Sequence, residues 1–352
     1  MSLHRKVAIL GATGAVGQRF VQLLQGHPWF QIEVLAASER SAGKKYKNAC
    51  NWLLETSLPK DIATMDVVHT DIESVEKKGN VDIIFSALPG DLAGPVESEF
   101  AAMYPVFSKA SAHRMDKDVP LIIPEVNPSH AALIPIQKKL RGWKGFISTD
   151  PNCSTIQLAM TLKPLVRFGL KQVVVSTMQA LSGAGYPGVP SLDIIDNVVP
   201  FISKEEEKME SEPLKILGAF DGTGICPANF VLSSSCHRVN VRDGHLESVF
   251  VKLDSEPNMK EVEKAFSQFK GEPQEMKLPS APENPIVVRK EPNRPQPRYD
   301  RNEAGGMSVV VGRIRKDPIM TFKYLCLGHN TIRGAAGAGI LSAELMVAKG
   351  IA

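Results

Sequence analysis

The stretch Gly11-Ala12-Thr13-Gly14-Ala15-Val16-Gly17 constrains the fold of this chain more than any other. It follows a short apolar run, Val7 to Leu10 behind Lys6, which reads as a strand. It precedes a helical pattern, Val16, Phe20, Leu23 and Leu24, that stops at Gly26. Strand, glycine turn and helix in that order let a backbone approach a pyrophosphate at a helix N-terminus. The spacing is G-x-x-G-x-x-G, a variant of the usual dinucleotide fingerprint, so a mere tight turn is the competing reading. A unit of this kind belongs to a parallel α/β sheet.

The next segments continue the alternation. Ile32 to Ala37 reads as a second strand, followed by Ser38-Glu39-Arg40-Ser41. An NAD site places an acid at this strand end for the ribose 2′-hydroxyl. Glu39 is near that place, but hydroxyls and Arg40 surround it, and hydroxyls with a guanidinium suit a 2′-phosphate. NADP is therefore expected over NAD. Val81 to Leu88 reads as another strand, with Ser86 and Leu88 at the end where ligands bind in doubly wound sheets. Pro105 to Ser108 is a further strand, and His130 to Arg141 is helix-like. Helices on both faces of a parallel sheet follow.

Ser148 to Thr155, S-T-D-P-N-C-S-T, sits between an apolar strand pattern at Gly145-Phe146-Ile147 and a helical one from Ile156. The Pro151-Asn152 pair puts Cys153 at a helix N-terminus, where free N–H groups and the helix dipole gather. Such a setting can lower a thiol pKa from about 8.5 into the range ~3.5–7.5 and make the thiolate a nucleophile. The competing reading is a small buried residue. A first domain ends near Asn152.

Beyond it the strand patterns lengthen and alternate: Gln172 to Leu181, Phe230 to Val241, Leu246 to Leu253, Met307 to Arg315 and Thr321 to Leu327. They predict a mainly antiparallel sheet. Glu205-Glu206-Glu207-Lys208 opens a polar helical stretch to about Leu217. The small-residue run from Thr331 predicts a helix that docks back on the first domain. His27, His69 and His130 sit in surface-like positions. His237 and His245 both flank the turn after Arg238, and either could do general acid–base work at an unperturbed pKa near ~6.5. Arg238 could fork onto a carboxylate.

Composition excludes several classes. With 41 basic and 38 acidic residues among 352, net charge is +3, which carries no nucleic-acid footprint. The five cysteines are scattered without a C-x-x-C pair, so neither zinc site nor disulfide framework is expected, and no metal. A reducing cytoplasm fits. The N-terminal residues do not resemble a signal peptide, and no apolar stretch is long enough to span a bilayer.

Together these motifs resemble the aspartate-semialdehyde dehydrogenases of the archaeal and fungal branch. The resemblance rests on G-A-T-G-A-V-G-Q-R-F, A-A-S-E-R-S-A-G-K, T-D-P-N-C-S-T, M-Q-A-L-S-G-A-G-Y-P-G, S-C-H-R-V-N-V-R-D-G-H, R-P-Q-P-R-Y-D-R, G-M-S-V-V-V-G-R-I-R-K-D and H-N-T-I-R-G-A-A-G-A, and runs from about Val7 to Lys349. It implies a Rossmann-type doubly wound NADP-binding domain (1–152, completed by a C-terminal helix, 331–352). It implies an α+β catalytic and dimerisation domain (153–330), and a homodimer or homotetramer in the cytoplasm. By resemblance Cys153 is the nucleophile and His245 the general acid–base. Arg238 holds the substrate α-carboxylate, and Gln179 orients the acyl group. Glu205 and Lys208 match an E-x-x-K pair facing the substrate amine and the phosphate. Arg114 and Asn152 match phosphate contacts. Thr13, Gly14, Ala15, Val16, Ser38, Arg40, Ser41, Ser86, Leu88, Ser182, Gly183 and Asn330 match positions lining NADP.

The implied reaction is NADPH-dependent reductive dephosphorylation of L-aspartyl 4-phosphate to L-aspartate 4-semialdehyde through a Cys153 thioester, a step toward lysine, threonine, methionine and isoleucine. Helix-start N–H groups, with Asn152, would stabilise the oxyanion. The rivals are a malonyl-CoA or succinyl-CoA reductase on the same fold, N-acetyl-glutamyl-phosphate reductase, and a non-catalytic NADP-binding sensor.

Overall fold

The computed structural model describes residues 4–352. Its first half is a sheet of parallel strands: β1 (Arg5–Leu10), β2 (Phe30–Ala37), β3 (Val67–His69), β4 (Ile83–Ser86), β5 (Pro105–Ser108) and β6 (Phe146–Thr149), in spatial order β3-β2-β1-β4-β5-β6. The order reverses between β1 and β4, which opens a crevice at the strand C-terminal ends. The strands are apolar because both faces are covered. Val7 and Ile9 enter one cluster with Phe20, Phe30, Phe85 and Ile340. Ala8 and Leu10 enter the other with Val75, Ile84 and Phe100.

Helix α1 (Ala15–Leu23) leaves β1 through the glycine turn, α2 (Gly90–Ala101) follows β4, and α3 (Leu133–Arg141) precedes β6. Gly11 has φ +74°, and a Cβ there would lie 2.7 Å from the Ala87 carbonyl oxygen. The turn is tight because β1 and β4 are neighbours.

Helix α4 (Cys153–Leu162) carries the chain from β6 into a second sheet. Its strands are β7 (Leu170–Gln179), β10 (Val231–Arg238), β11 (His245–Leu253), β12 (Ile286–Arg289), β13 (Val309–Lys316) and β14 (Phe322–Gly328). The short hairpin β8 (Ala219–Phe220) and β9 (Ile225–Cys226) stands apart. The spatial order is β10-β7-β11-β14-β13-β12, with antiparallel pairing through the centre and parallel pairing of β10 to β7 and of β12 to β13 at the edges. The β10 edge is parallel because α5 (Glu205–Ile216) lies in the connection from β7. Alternation along β11 puts His245, Glu247, Val249 and Val251 on the buried face. The core there includes Ile156, Leu158 and Met160 of α4, which explains why that helix is apolar nearly all round.

Helix α6 (Gly337–Ala348) packs Ile340, Ala343 and Met346 against Phe20 and Phe85 of the first sheet's layer. Two of the expected surface histidines are built in instead. His130 is buried, its Nε2 donating to the Gly218 carbonyl at 3.0 Å and its Nδ1 accepting from the Asn127 amide at 2.9 Å, and His27 meets Glu344 at 2.7 Å. Their neighbours come from distant parts of the chain, which the local pattern does not display.

Candidate active site

The ends of four parallel strands converge on one cavity of about 630 Å³. Ala15 and Val16 line it after β1, Leu88 after β4, Lys109 and Arg114 after β5, and Asn152 and Cys153 after β6. The second sheet adds Ser182 and Gly183 after β7 and Arg238 at the end of β10. Glu205 and Lys208 come from α5, and Asn330 follows β14. A second hollow of about 280 Å³ lies along the cofactor turn, lined by Thr13, Ser38, Arg40 and Ser41 but not by Glu39. Gly14 caps the start of α1 in extended conformation.

Asn152 is the N-cap of α4. Its Oδ1 accepts from the N–H groups of Ser154 (2.9 Å) and Thr155 (3.2 Å), and its amide donates to Glu205 Oε1 at 2.8 Å. The Asn152 N–H donates to Glu212 Oε2 at 2.7 Å. The helix-start donors expected to face an oxyanion are thus largely engaged, and among the described residues no hydrogen bond takes up the Cys153 N–H.

Cys153 Sγ lies 3.2 Å from His245 Nε2. His237 turns instead to the Thr177 carbonyl at 3.1 Å, so His245 is the histidine at the sulfur. His245 starts β11 directly after Gly244, whose φ of +100° few other residues adopt. Its Nδ1 accepts from the Ala180 N–H at 3.0 Å, and its carbonyl accepts from Gln157 at 3.0 Å. Gly183 leaves the space that His245 and Arg238 occupy: a Cβ there would lie 2.8 Å from an Arg238 guanidinium nitrogen and 3.0 Å from His245 Cε1.

The electrostatics differ from the sequence expectation of a primed thiolate. Burial, then the Glu205 carboxylate, pushes the Cys153 thiol up to about 12, against Arg238 and Arg114 pulling it down. Desolvation at the cavity wall outweighs the helix terminus although Cys153 keeps partial exposure, and the Ser154 N–H with the two guanidinium groups offsets it only in part. Burial, then the Arg238 charge, holds His245 well below the usual imidazole range, so the pair is neutral.

Four cations line the cavity. Arg238 donates to the Ala180 carbonyl at 2.7 Å. Arg114 pairs with Glu212 at 3.0 Å. Lys208 lies 3.5 Å from Glu205. Lys109 lies 3.0 Å from Asp150, and its burial lowers its pKa. Glu212, which joins Arg114 to the Asn152 backbone, and the Lys109–Asp150 pair are absent from the expected set. Both stand on ordinary polar positions, and only the fold brings them to the cleft.

Two expected contacts stand back from the cavity wall. Gln179 is buried, with its amide 3.3 Å from the Thr177 hydroxyl. Ser86 is also buried and donates to Glu97 at 2.6 Å beside Ser108. Its hydroxyl is spent on a carboxylate from α2 that faces the strand ends. Asn330 donates to the Ser182 hydroxyl at 2.8 Å and accepts from the Gly244 N–H, which ties the cofactor side to the His245 turn.

Comparison with known proteins follows the same division. Residues 6–134 match the family model of the semialdehyde dehydrogenase NAD binding domain, and residues 162–333 match that of the semialdehyde dehydrogenase dimerisation domain. An aspartate-semialdehyde dehydrogenase of Methanothermobacter thermautotrophicus is 56% identical over 97% of this chain and 98% of its own. A malonyl CoA reductase (NADP) of Metallosphaera sedula is 43% identical over 98% of this chain and 97% of its own. The crystal structure of aspartate semialdehyde dehydrogenase with NADP from Candida albicans superposes with a TM-score of 0.90 at 41% identity, covering 99% of this chain and 100% of that one. With these archaeal and fungal relatives matched over nearly their whole length, the chain belongs to the aspartate-semialdehyde dehydrogenase family.

Proposed function

We propose that this chain catalyses NADPH-dependent reductive dephosphorylation of L-aspartyl 4-phosphate to L-aspartate 4-semialdehyde. The observation that carries this reading is the Cys153–His245 contact opening on a cavity that holds four cations and runs to the glycine turn. The greater similarity to aspartate-semialdehyde dehydrogenase than to malonyl CoA reductase supports it.

NADP fits the residues present. The turn at Gly11 leaves no room for a side chain, and the hollow beside it offers Ser38, Arg40 and Ser41 to a 2′-phosphate without a carboxylate in its wall. Ala15, Val16, Leu88, Ser182, Gly183 and Asn330 would hold the part that reaches the main cavity. When bound in reduced form, the cofactor supplies the hydride.

The chain's own residues divide the remaining work. Arg238 holds the α-carboxylate and Glu205 the ammonium, leaving the acyl carbon over Cys153. Arg114 and Lys208 receive the phosphate. The Cys153 sulfur attacks the acyl carbon, and the Cys153 N–H faces the oxygen that becomes negative. One such donor contributes ~2.7–4 kcal/mol. Gln179 supports this arrangement from behind the wall. We take the domain boundary at Asn152/Cys153, with α6 returning to the cofactor layer.

The dimerisation-domain match supports an oligomer, and we assign a homodimer or homotetramer joined through the open face of the second sheet, where Val174 and Val231 are exposed. All five cysteines are free, which suits the cytoplasm. Among the described residues no helix is long and apolar enough to cross a membrane.

The test is the reverse reaction: NADPH formation from aspartate semialdehyde with phosphate present. Phosphate-dependent turnover that is lost in Cys153→Ala supports the reading. Consumption of NADPH with malonyl-CoA, without phosphate-dependent turnover, would move the assignment to the CoA reductase.

A further inference from the structure

Helix α5 turns one face toward the helix that carries the nucleophile. Glu205, Lys208, Glu212 and Lys215 stand at i, i+3, i+7 and i+10, so two E-x-x-K pairs follow each other two turns apart on that face. The first pair lines the cavity. The second pair lies behind the wall, and both of its members are buried.

Both oxygens of Glu212 are occupied. Oε1 accepts from Arg114 Nη1 at 3.0 Å, and Oε2 accepts from the Asn152 N–H at 2.7 Å. The two partners come from different strand ends: Arg114 follows β5, and Asn152 is the residue before the nucleophile. Lys215 holds the same β5 loop. Its ammonium donates to the carbonyls of Arg114 (2.7 Å), Asp116 (2.8 Å) and Val119 (2.8 Å). The Arg114 guanidinium has one further anchor, Nη2 on the Lys109 carbonyl at 2.8 Å. Helix α5 therefore sets where this guanidinium stands relative to Cys153. A buried carboxylate needs such charged and N–H partners to offset its desolvation, and here both partners belong to the reacting end of the cavity.

We infer that Glu212 is a positioning residue for the phosphate: it holds the Arg114 guanidinium in a fixed place against the start of α4, so that phosphate meets a cation already in register with the sulfur. The inference rests on the phosphate role of Arg114 proposed above. Glu212 stands behind the cavity wall and acts through Arg114. A guanidinium without this anchor is ordered only when phosphate binds, and the cost of ordering it is subtracted from the affinity. Asn152 has a second clamp from the same helix, its amide donating to Glu205 Oε1 at 2.8 Å, and its own Oδ1 still caps α4. Loss of the Glu212 charge therefore falls on phosphate and leaves the nucleophile's turn in place.

The test is the reverse reaction of the full-length protein, with KM measured for phosphate, NADP and aspartate semialdehyde in wild type and in Glu212→Gln. The glutamine is close in shape, and its one carbonyl oxygen can still accept from the Asn152 N–H, but its NH2 group then faces the guanidinium and cannot pair with it. The expected result is a phosphate KM about tenfold higher, with the other two KM values within about twofold of wild type. In an Arg114→Met background Glu212→Gln is expected to add less than about twofold, because both changes act on one contact. An unchanged phosphate KM, a parallel rise of all three KM values, or independent effects of the two substitutions would overturn the inference. If Glu212→Gln does not fold, Glu212→Asp, which keeps the charge but is too short to reach both partners, takes its place with the same expectation. Calorimetric titration of inorganic phosphate into the NADP-loaded protein separates this inference from the assignment of function. Binding to wild type about tenfold tighter than to Glu212→Gln supports the inference even without phosphate-dependent turnover, in which case the proposed function fails on its own. No binding to wild type, or equal binding to both proteins, would overturn it.

Discussion

Arg333 and Glu125 meet in a two-pronged ion pair, 2.8 and 2.6 Å, with both side chains out of solvent. Glu125 belongs to the loop before α3, and Arg333 to the irregular turn Ile332–Ala336 that leads into α6. The pair therefore anchors the turn that carries Gly334 to Cys153. Removing one partner of a buried pair leaves an uncompensated charge, at a cost of about 3–5 kcal/mol. Arg333→Met is expected to lose that much in urea unfolding, and Arg333→Met with Glu125→Leu to recover part of it. Equal stability of wild type and Arg333→Met would show the pair to be idle.

Gly334 lies where a side chain would strike the nucleophile. A Cβ there would sit 2.7 Å from Cys153 Cβ and 3.1 Å from its Cα. Gly334→Ala is expected to fold yet lose about 10²-fold in kcat, the scale of a 1 Å misplacement. Turnover alongside circular dichroism checks this. Full activity would mean that the turn yields freely.

Glu247 shares the buried face of β11 with His245, and burial raises its pKa to about 8 despite bonds from Cys326 and Gln157. Between its unfolded value, about 4.3, and about 8 the folded protein holds a proton that the unfolded chain has released. The folded state then binds more protons, so this group's contribution to stability falls as pH rises through that window. Glu247→Gln is expected to flatten this fall, gaining relative to wild type at pH 8 and little at pH 4.5. Denaturant midpoints across that range decide it, and parallel curves would contradict the assignment.

Alkylation of Cys153 by iodoacetamide is expected to be slow near neutral pH in the ligand-free protein. Below a thiol pKa of about 12 the thiolate fraction, and with it the rate, rises about tenfold per pH unit. Cys153→Ser supplies the background from the exposed Cys226 and the other thiols. A rate already at plateau at pH 7 would mean that the sulfur is ionised in this geometry.

Local signals in the chain were enough to locate several elements. The glycine run gave β1 and α1, Pro105 to Ser108 matched β5 to the residue, and Asn152 with Cys153 marked the start of α4. Each depends on neighbours within one turn of backbone, as does the opening of α5 at Glu205. β3 and β12 were missed because three- and four-residue strands carry too little periodicity to stand out.

The charges behaved differently. Whether Cys153 is a thiolate depends on desolvation and on Glu205, Arg238 and Arg114, which arrive from three other elements. Glu212 under Arg114, Asp150 beside Lys109 and the Ala180 N–H on His245 are likewise long-range meetings. The sequence by itself determined the parallel sheet, the helix that begins at Cys153 and the polar residues available to a cleft, because periodicity, glycine turns and caps act locally. Spacing left His237 and His245 open and family resemblance chose His245, whose contact with the sulfur the fold then provides, while tertiary structure alone decided which hydroxyls and amides are spent on neighbours and the protonation of the pair. Burial and Coulomb interactions depend on distance in space, and chain order does not encode that distance.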